Sequence, residues 1–179
     1  MWQPYDWVVP EVSLRRAVVG DAAFLALAMQ EADRGHTGIG SWDLLLPGPD
    51  GERLATIARL ACASHRSVVH WSIFRIAEFD GQPVGTMAGY VPREMPSATF
   101  QDACTEVLGP QAHELLSRTH AWSSSYFSVV LPGDTLRVEW VYTDPAARGR
   151  GISTHLLWAL LDDSRRDGQK ESARRYLRG

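Results

Sequence analysis

The sequence is poor in cysteine and in long apolar runs, and each shortage excludes a class of protein. Its 179 residues include two cysteines, Cys62 and Cys104, which are too few for a disulfide framework and lack metal-ligand spacing. No apolar run reaches the roughly 18 residues that a membrane-spanning helix needs. The N-terminal residues lack a basic region followed by a long apolar stretch, so we expect no signal peptide. A reducing cytoplasm, with no membrane partner and no metal, is the expected setting.

Basic residues are also fewer than acidic residues. Lysine and arginine number 18 against 21 aspartate and glutamate residues, which gives a formal net charge of −3. This balance argues against general nucleic-acid binding, which requires a basic surface. The exception is residues 168–179, a predicted basic tail beyond the last predicted helix. Positive charge is favourable there because the C-terminal end of a helix is the negative end of its dipole.

The length and composition indicate one domain over residues 1–179. Apolar residues make up 45% and charged residues 22%, which is ordinary for a globular chain of this size. Residues 1–12 are rich in tryptophan and proline and predict an irregular arm, whereas residues 92–122 predict a helical insertion. The predicted order of elements is β, α, α, β, β, inserted α, β, β, loop and α. This order predicts an α+β (mixed α/β layer) fold with a mostly antiparallel sheet flanked by helices.

Local signals give some of the boundaries. Asp21 and Asp50 are predicted N-caps, because each carboxylate could accept from the first free amides of a helix. Residues 35–51 predict a loop, and residues 125–131 predict a strand. Asp80-Gly81 predicts a two-residue hairpin turn, because both positions tolerate positive φ.

The most informative segment runs from a predicted strand over residues 136–143 into the final helix. The strand would place Leu136, Val138, Trp140 and Tyr142 on one face. A loop rich in arginine and glycine, residues 148–151, follows. Its glycines leave the backbone amides uncovered, and the free amides of a first helical turn favour anions. With two arginine charges, this loop predicts a cradle the size of a diphosphate, although its spacing matches neither a Walker loop nor a dinucleotide-binding fingerprint.

The sequence from Arg148 to Ser153 resembles the R/Q-x-x-G-x-G/A signature of the GNAT N-acetyltransferase family. The segment Leu14 to Ala22 is similar to that family's first strand and helix, and the strands around Asp80-Gly81 are similar to its second and third. The resemblance spans roughly residues 13–167. It implies the family's acyl-CoA N-acyltransferase fold, acetyl-CoA as cosubstrate without a metal, and a small-molecule or peptide primary amine as acceptor.

The resemblance also implies a set of site residues. Backbone amides of the Arg/Gly loop would hold the diphosphate, and the end of the preceding strand would run beside the pantetheine and acetyl group, where one N–H would stabilise the oxyanion. The residues implied are Val141, Tyr142, Thr143, Arg148, Gly149, Arg150, Gly151, Ile152, Ser153 and Thr154. Glu139, on the strand that approaches the acetyl group, is the candidate general base for direct attack by a neutral amine.

Other interpretations stay open for several residues. Glu139 could instead form an ion pair with Arg137 or Arg15. His120 is a second candidate base, although a solvated loop histidine is the commoner case, and His155 is expected to be structural. The loop over residues 35–42 could close over the acceptor, or it could be a connector whose tryptophan only packs.

Two departures from the family pattern matter. Ser153 stands where the family usually has glycine or alanine, a change that its small side chain makes tolerable. After Gly168 no further strand, tyrosine-bearing helix or hairpin is visible, and Tyr176 is too near the terminus to supply the usual tyrosine acid. The alternative is therefore a truncated or degenerate protein that binds CoA or another protein without turnover. The unpaired sheet edge that truncation would leave makes a homodimer an open question.

Overall fold

An antiparallel four-stranded sheet forms the centre of the computed structural model, which describes residues 12–126 and 135–166, with the backbone alone for 120–126. In these residues the strands lie in the spatial order β1 (Ser13–Arg16), β2 (Phe74–Phe79), β3 (Gln82–Tyr90) and β4 (Arg137–Thr143). The helices described are α1 (Ala22–Arg34), α2 (Ser41–Leu45), α3 (Asp50–Ala61), α4 (Ser97–Leu108), α5 (Ala112–Tyr126) and α6 (Ile152–Arg166). The expected α+β architecture is confirmed.

Helices cover both faces of the sheet. On one face, α1 and α3 pack their apolar sides, including Leu25 and Ile57, against Phe74 and Ile76 of β2. On the other face, α6 supplies Ile152, Leu156 and Leu160, whose four-residue spacing forms one helical stripe, to a second apolar cluster. Burial of these two faces holds the sheet between the helices. None of the described helices has the length and apolarity that crossing a bilayer requires.

The predicted hairpin turn is confirmed. Phe79 pairs with Gln82, so Asp80 and Gly81 alone connect β2 to β3. Their φ angles are 49° and 74°, the left-handed values that a two-residue hairpin turn requires.

A β-bulge interrupts β4 in its middle. Trp140 and Val141 lie opposite one residue of β3, Met87, and the register shifts at this point. Trp140 has a φ of 54°, which is uncommon for a bulky side chain and typical of a bulge position. The extra residue shifts the alternation of side chains along the strand by one.

Because of this bulge, the prediction that alternate residues of β4 share one face is wrong. Val138 packs in the apolar cluster of α6. Trp140 packs in the cluster of α1 and α3, and Tyr142 lies edge-on to Phe24 of α1 with ring centroids 6.1 Å apart. The bulge therefore turns the second half of β4 toward α1.

Asp21 is the N-cap residue of α1, as predicted, but neither Asp21 nor Asp50 forms the predicted capping bond. The Asp21 carboxylate accepts two hydrogen bonds from the Arg15 guanidinium and none from the first amides of α1. Asp50 is the first residue of α3, and its carboxylate accepts from Arg34 and Arg53. The Asp21 carboxylate also accepts from the Val18 amide at 2.7 Å. Both aspartates are therefore oriented mainly by charge-assisted bonds from arginines and not by the first amides of their helices.

The predicted loop over residues 35–51 contains a helix, α2, which is a correction. α1 ends as expected before Gly35, whose φ is 50°. The Asp33 carboxylate then accepts from the Ser41 hydroxyl and from the Trp42 amide, each at 2.7 Å. This bond to a first-turn amide stabilises α2 together with the bond from the Gly40 amide to the Asp43 carboxylate at 2.8 Å.

The insertion is helical, as predicted, and forms α4 and α5 with a 3₁₀ turn at Gly109–Gln111 between them. The predicted strand over 125–131 is wrong for residues 125 and 126, which end α5, and residues 127–131 lie outside the described residues. The predicted arm, apart from Val12, and the basic tail with Tyr176 also lie outside them.

Candidate functional site

The Arg/Gly loop makes a tight turn between the end of β4 and the start of α6. The Asp144 carboxylate accepts from the Ala146 amide at 2.8 Å and begins a short 3₁₀ turn at Pro145–Ala147. Gly149 and Gly151 follow with φ of 78° and 72°, and α6 begins at Ile152. Left-handed angles of this kind are strained for other residues, so the course of the loop depends on its two glycines.

The backbone amides from Gly149 to Thr154 are available to a ligand. Within the described ranges none of them donates a hydrogen bond to the protein, and the first bond of α6 runs from the His155 amide to the Gly151 carbonyl. These residues are exposed except for Ile152, which is 2% exposed and anchors the turn in the apolar cluster of α6. Free amides and the positive end of the helix dipole therefore converge on solvent, an arrangement that binds anions.

Two arginines flank this turn on different sides. The Arg148 Nε donates to the Thr143 carbonyl of β4 at 3.2 Å. The Arg150 guanidinium lies over the ring of Phe79, at the end of β2, with 5.1 Å between its Cζ and the ring centroid. Both arginine side chains are exposed, so the turn that carries the free amides also carries two positive charges accessible to solvent.

Glycines in β3 allow α6 to lie close to the sheet. A Cβ atom added at Gly85 would lie 2.8 Å from Cγ2 of Ile152, the first residue of α6. One added at Gly89 would lie 2.9 Å from a methyl carbon of Leu160, two turns later in the helix. The spacing of four residues in β3 places both glycines on the same face. This close approach determines where the N terminus of α6 points, and our sequence analysis missed it.

The three β4 residues predicted beside the acyl group lie at one edge of the described sheet. Val141 is 45% exposed and belongs to the bulge. Tyr142 is buried, and this burial, followed by the charges of Asp144 and Glu31, raises the pKa of its hydroxyl above the usual value. Among the described strands, β4 pairs with β3 alone, so no described strand pairs with its other edge.

Glu139 lies directly before the bulge and is 23% exposed at its side chain. One carboxylate oxygen pairs with the Arg137 Nε at 2.6 Å, and the other accepts from the Tyr90 hydroxyl at 2.9 Å. Burial raises the Tyr90 pKa, and the Glu139 charge adds to that shift, so the hydroxyl stays a donor. The ion pair with Arg137 confirms one alternative interpretation. Arg15 binds Asp21 and Glu78 instead, and the role of Glu139 as a base stays a prediction.

Trp42 connects the segment after α1 to the bulge. It is 3% exposed and stacks on Trp140, with ring centroids 5.9 Å apart. The Trp140 Nε1 donates to the Val68 carbonyl at 3.1 Å, whereas the buried Trp42 Nε1 has no partner in the described residues. Packing of Trp42 is therefore confirmed, and closure of this segment over an acceptor stays a prediction.

The histidines add little to the site. His155 is exposed on α6, and the side chain of His120 lies outside the described residues. Across residues 12–126 and 135–166, no group of three or more histidine, cysteine, aspartate or glutamate side chains could hold a metal ion.

Sequence reasoning missed Phe79 and Tyr90 as partners of site residues. Phe79 directly precedes the Asp80-Gly81 turn, and Tyr90 is the last residue of β3. Each contacts a residue about 50 to 70 positions later in the chain, at Glu139 or Arg150. No local pattern indicates such pairs.

Comparison with known proteins gives a family match and a fold match. The family model described as the acetyltransferase (GNAT) family matches residues 42–175. The crystal structure of an N-acetyltransferase from Staphylococcus aureus Mu50 is 18% identical, with a TM-score of 0.60 over 84% of this chain and 75% of that one. The crystal structure of another acetyltransferase is 15% identical, with a TM-score of 0.58 over 88% of this chain and 76% of that one. At these identities the likeness concerns the fold. No protein of curated function matches the sequence.

Proposed function

This chain belongs to the GNAT acetyltransferase family, and from that premise we propose that it transfers an acetyl group from acetyl-CoA to a primary amine by direct attack. The acetyl donor supplies a thioester carbonyl carbon as the electrophile. The acceptor is an amine of unidentified structure, and aminoglycosides, polyamines, amino acids and protein N-termini are all compatible with the chemistry.

The observation that supports this proposal is the row of free amides from Gly149 to Thr154. A diphosphate is a compact dianion whose oxygens accept hydrogen bonds, and backbone amides at a helix N terminus are suited to such a group. Gly149 and Gly151 face open space, since a Cβ added at either would have no atom within 4 Å. The residues present therefore fit a CoA diphosphate, and the exposed Arg148 and Arg150 supply positive charge to the same turn.

The bulge in β4 supports the placement of the reacting carbonyl. A β-bulge leaves one residue outside the regular ladder, so a backbone N–H at Trp140 or Val141 can donate elsewhere. In the proposed reaction this N–H donates to the carbonyl oxygen as negative charge develops there, an interaction that contributes about 10²–10³ in rate. The backbone from Val141 to Thr143 lies along the pantetheine.

Glu139 is the proposed base for this reaction. The amine nitrogen must be neutral to attack, because an ammonium has no lone pair. In the proposed step a C–N bond forms, the C–S bond breaks, and CoA leaves as a thiolate that takes a proton from water. Glu139 accepts the proton that the amine releases, directly or through one water. Its two present partners, Arg137 and Tyr90, hold the carboxylate before the bulge.

Calorimetric titration of the purified chain with acetyl-CoA tests the donor assignment. We expect saturable one-site binding that weakens as salt concentration rises, because charge is neutralised at the phosphates. Pantetheine, which lacks the phosphates, is the control and should bind far more weakly. Absence of binding at millimolar acetyl-CoA would refute the proposal.

Thiol release measured over a panel of primary amines separates an enzyme from a binding protein. We expect amine-dependent release above the hydrolysis background for at least one acceptor class. Tight binding of acetyl-CoA with no turnover across the panel would favour the alternative without catalysis.

A further inference from the structure

We propose that Phe79 positions Arg150 as a phosphate-binding cation for coenzyme A, an inference that rests on the proposed function. The two residues come from different elements, since Phe79 ends β2 and Arg150 belongs to the loop before α6. Their contact, at 5.1 Å from Cζ to the ring centroid, is a cation–π interaction.

Arg150 differs from other arginines of the structure in what neutralises it. Arg34 pairs with Asp43 and Asp50, and Arg75 pairs with Asp163. In the described part of the chain Arg150 has no carboxylate partner and no hydrogen bond, and its side chain is exposed. Its charge is therefore available to a ligand.

The ring of Phe79 leaves the binding edge of that guanidinium free. The guanidinium carbon lies over the ring, and this contact uses none of the N–H groups of Arg150 in a hydrogen bond to a described residue, so they are available to a phosphate. The ring itself is half-buried, and the pairing of Phe79 with Gln82 next to the hairpin turn fixes its position. Phe79 thus offers a rigid support for a mobile side chain.

This support matters because an exposed arginine has many rotamers. Binding a phosphate selects a few of them, and that selection costs conformational entropy. Stacking on Phe79 restricts Arg150 before the ligand arrives, so less entropy is lost on binding. Arg148 is held in a different way, through its bond to the Thr143 carbonyl. The two arginines are therefore held by contacts with different strands, β4 and β2.

Coenzyme A offers Arg150 two possible phosphate ligands, the diphosphate and the 3′-phosphate of the ribose. A double-mutant cycle of Phe79→Leu and Arg150→Gln, with dissociation constants measured by calorimetry for CoA and for 3′-dephospho-CoA, tests the proposal. We expect Phe79→Leu to weaken CoA binding about two- to fivefold. Arg150→Gln should weaken it about tenfold. In the Arg150→Gln background, Phe79→Leu should have no further effect.

Two further variants keep an aromatic ring at position 79, so they separate the effect on Arg150 from an effect on folding. Phe79→Tyr retains the ring and should bind CoA within about twofold of the wild type. Replacement of Phe79 by pentafluorophenylalanine retains the shape and reverses the charge distribution of the ring, so it should weaken CoA binding as the leucine variant does. If Phe79 only filled space, the tyrosine and pentafluorophenylalanine variants should bind CoA equally well.

The two ligands identify the phosphate. The coupling is the part of the Phe79→Leu effect that depends on Arg150. If it persists with 3′-dephospho-CoA, Arg150 binds the diphosphate. If it disappears with that ligand, Arg150 binds the 3′-phosphate. The proposal is overturned if Phe79→Leu weakens CoA binding equally with and without Arg150, or if it has no effect on the wild type. A wild-type chain that does not bind CoA would instead refute the proposed function itself.

Discussion

Trp42 of α2 stacks on Trp140 of β4, with ring centroids 5.9 Å apart and an interplanar angle of 30°. The contact joins the short helix after α1 to the strand at its bulge, where Trp140 adopts a φ of 54°. Such a conformation costs about 1–3 kcal/mol and persists only where the surroundings stabilise it. The stack and the bond from Trp140 Nε1 to Val68 provide that support. The geometry of the proposed acyl site thus depends on a contact between two residues that are nearly 100 positions apart in sequence.

Substitution Trp42→Ala should destabilise the protein by about 3–5 kcal/mol, because it removes a buried aromatic side chain and leaves a cavity beside Trp140. Urea unfolding followed by circular dichroism measures the change. Trp42→Phe, which retains an aromatic ring, should cost clearly less. A loss below about 1 kcal/mol for the alanine variant would show that the stack does not hold the bulge.

Substitution Gly151→Ala should weaken acetyl-CoA binding by about tenfold or more, because a φ of 72° disfavours alanine and the amides would turn away from the ligand. Gly51→Ala is the matched control. Gly51 lies in α3, and a Cβ there would have no atom within 4 Å, so this variant should gain about 0.5–1 kcal/mol in stability. Its affinity for acetyl-CoA, measured by calorimetry, should equal that of the wild type. Equal affinities for both variants would contradict the assigned loop.

Substitution Glu139→Gln should lower kcat by about 10²-fold or more while the KM for acetyl-CoA stays near its wild-type value, because the proposed base is lost and the cradle is intact. Tyr90→Phe removes one hydrogen bond to the carboxylate but keeps the base, so its kcat should stay within about tenfold. If Glu139→Gln lowers only the free energy of unfolding, Glu139 serves the ion pair with Arg137 and not catalysis.

Acid should weaken the ionic network that joins the end of α1 to α2 and α3. The Arg34 guanidinium, followed by Arg53, lowers the pKa of Asp50 from 3.8 to about 2, and Arg34 also lowers the pKa of Asp43. Because these folded-state pKa values lie below the ordinary value, their stabilisation is fully present above about pH 4. It is lost as the pH falls toward 2.

Urea midpoints measured between pH 2 and pH 7 check this expectation. Arg34→Met should lower the midpoint at pH 7 and flatten its dependence on pH below 4. The Ser64 hydroxyl is the main group that lowers the pKa of Glu106, to about 2. Because Arg34 does not contribute to this shift, the loss of stability on protonation of Glu106 should be the same in the Arg34 variant. An unchanged pH dependence in the Arg34 variant would rule out this network as a source of acid sensitivity.

The sequence by itself determined the features that arise from neighbouring residues. The Asp80-Gly81 turn needs two residues that tolerate positive φ, and it formed where predicted. The Arg/Gly loop between β4 and α6 also follows from local chemistry, since glycine angles and the free amides of a first helical turn depend on adjacent residues. The final helix, α6, also formed where predicted.

Only the tertiary structure decided the partners of charged and aromatic side chains. Asp50 binds Arg34 instead of capping its own helix, and Glu139 is held by Tyr90, 49 residues earlier. The bulge at Trp140 reversed the faces of β4, because pairing with β3 and stacking on Trp42 outweigh simple alternation. Side-chain partners depend on which groups meet once the chain has folded, because residues far apart in sequence become neighbours only in the tertiary structure.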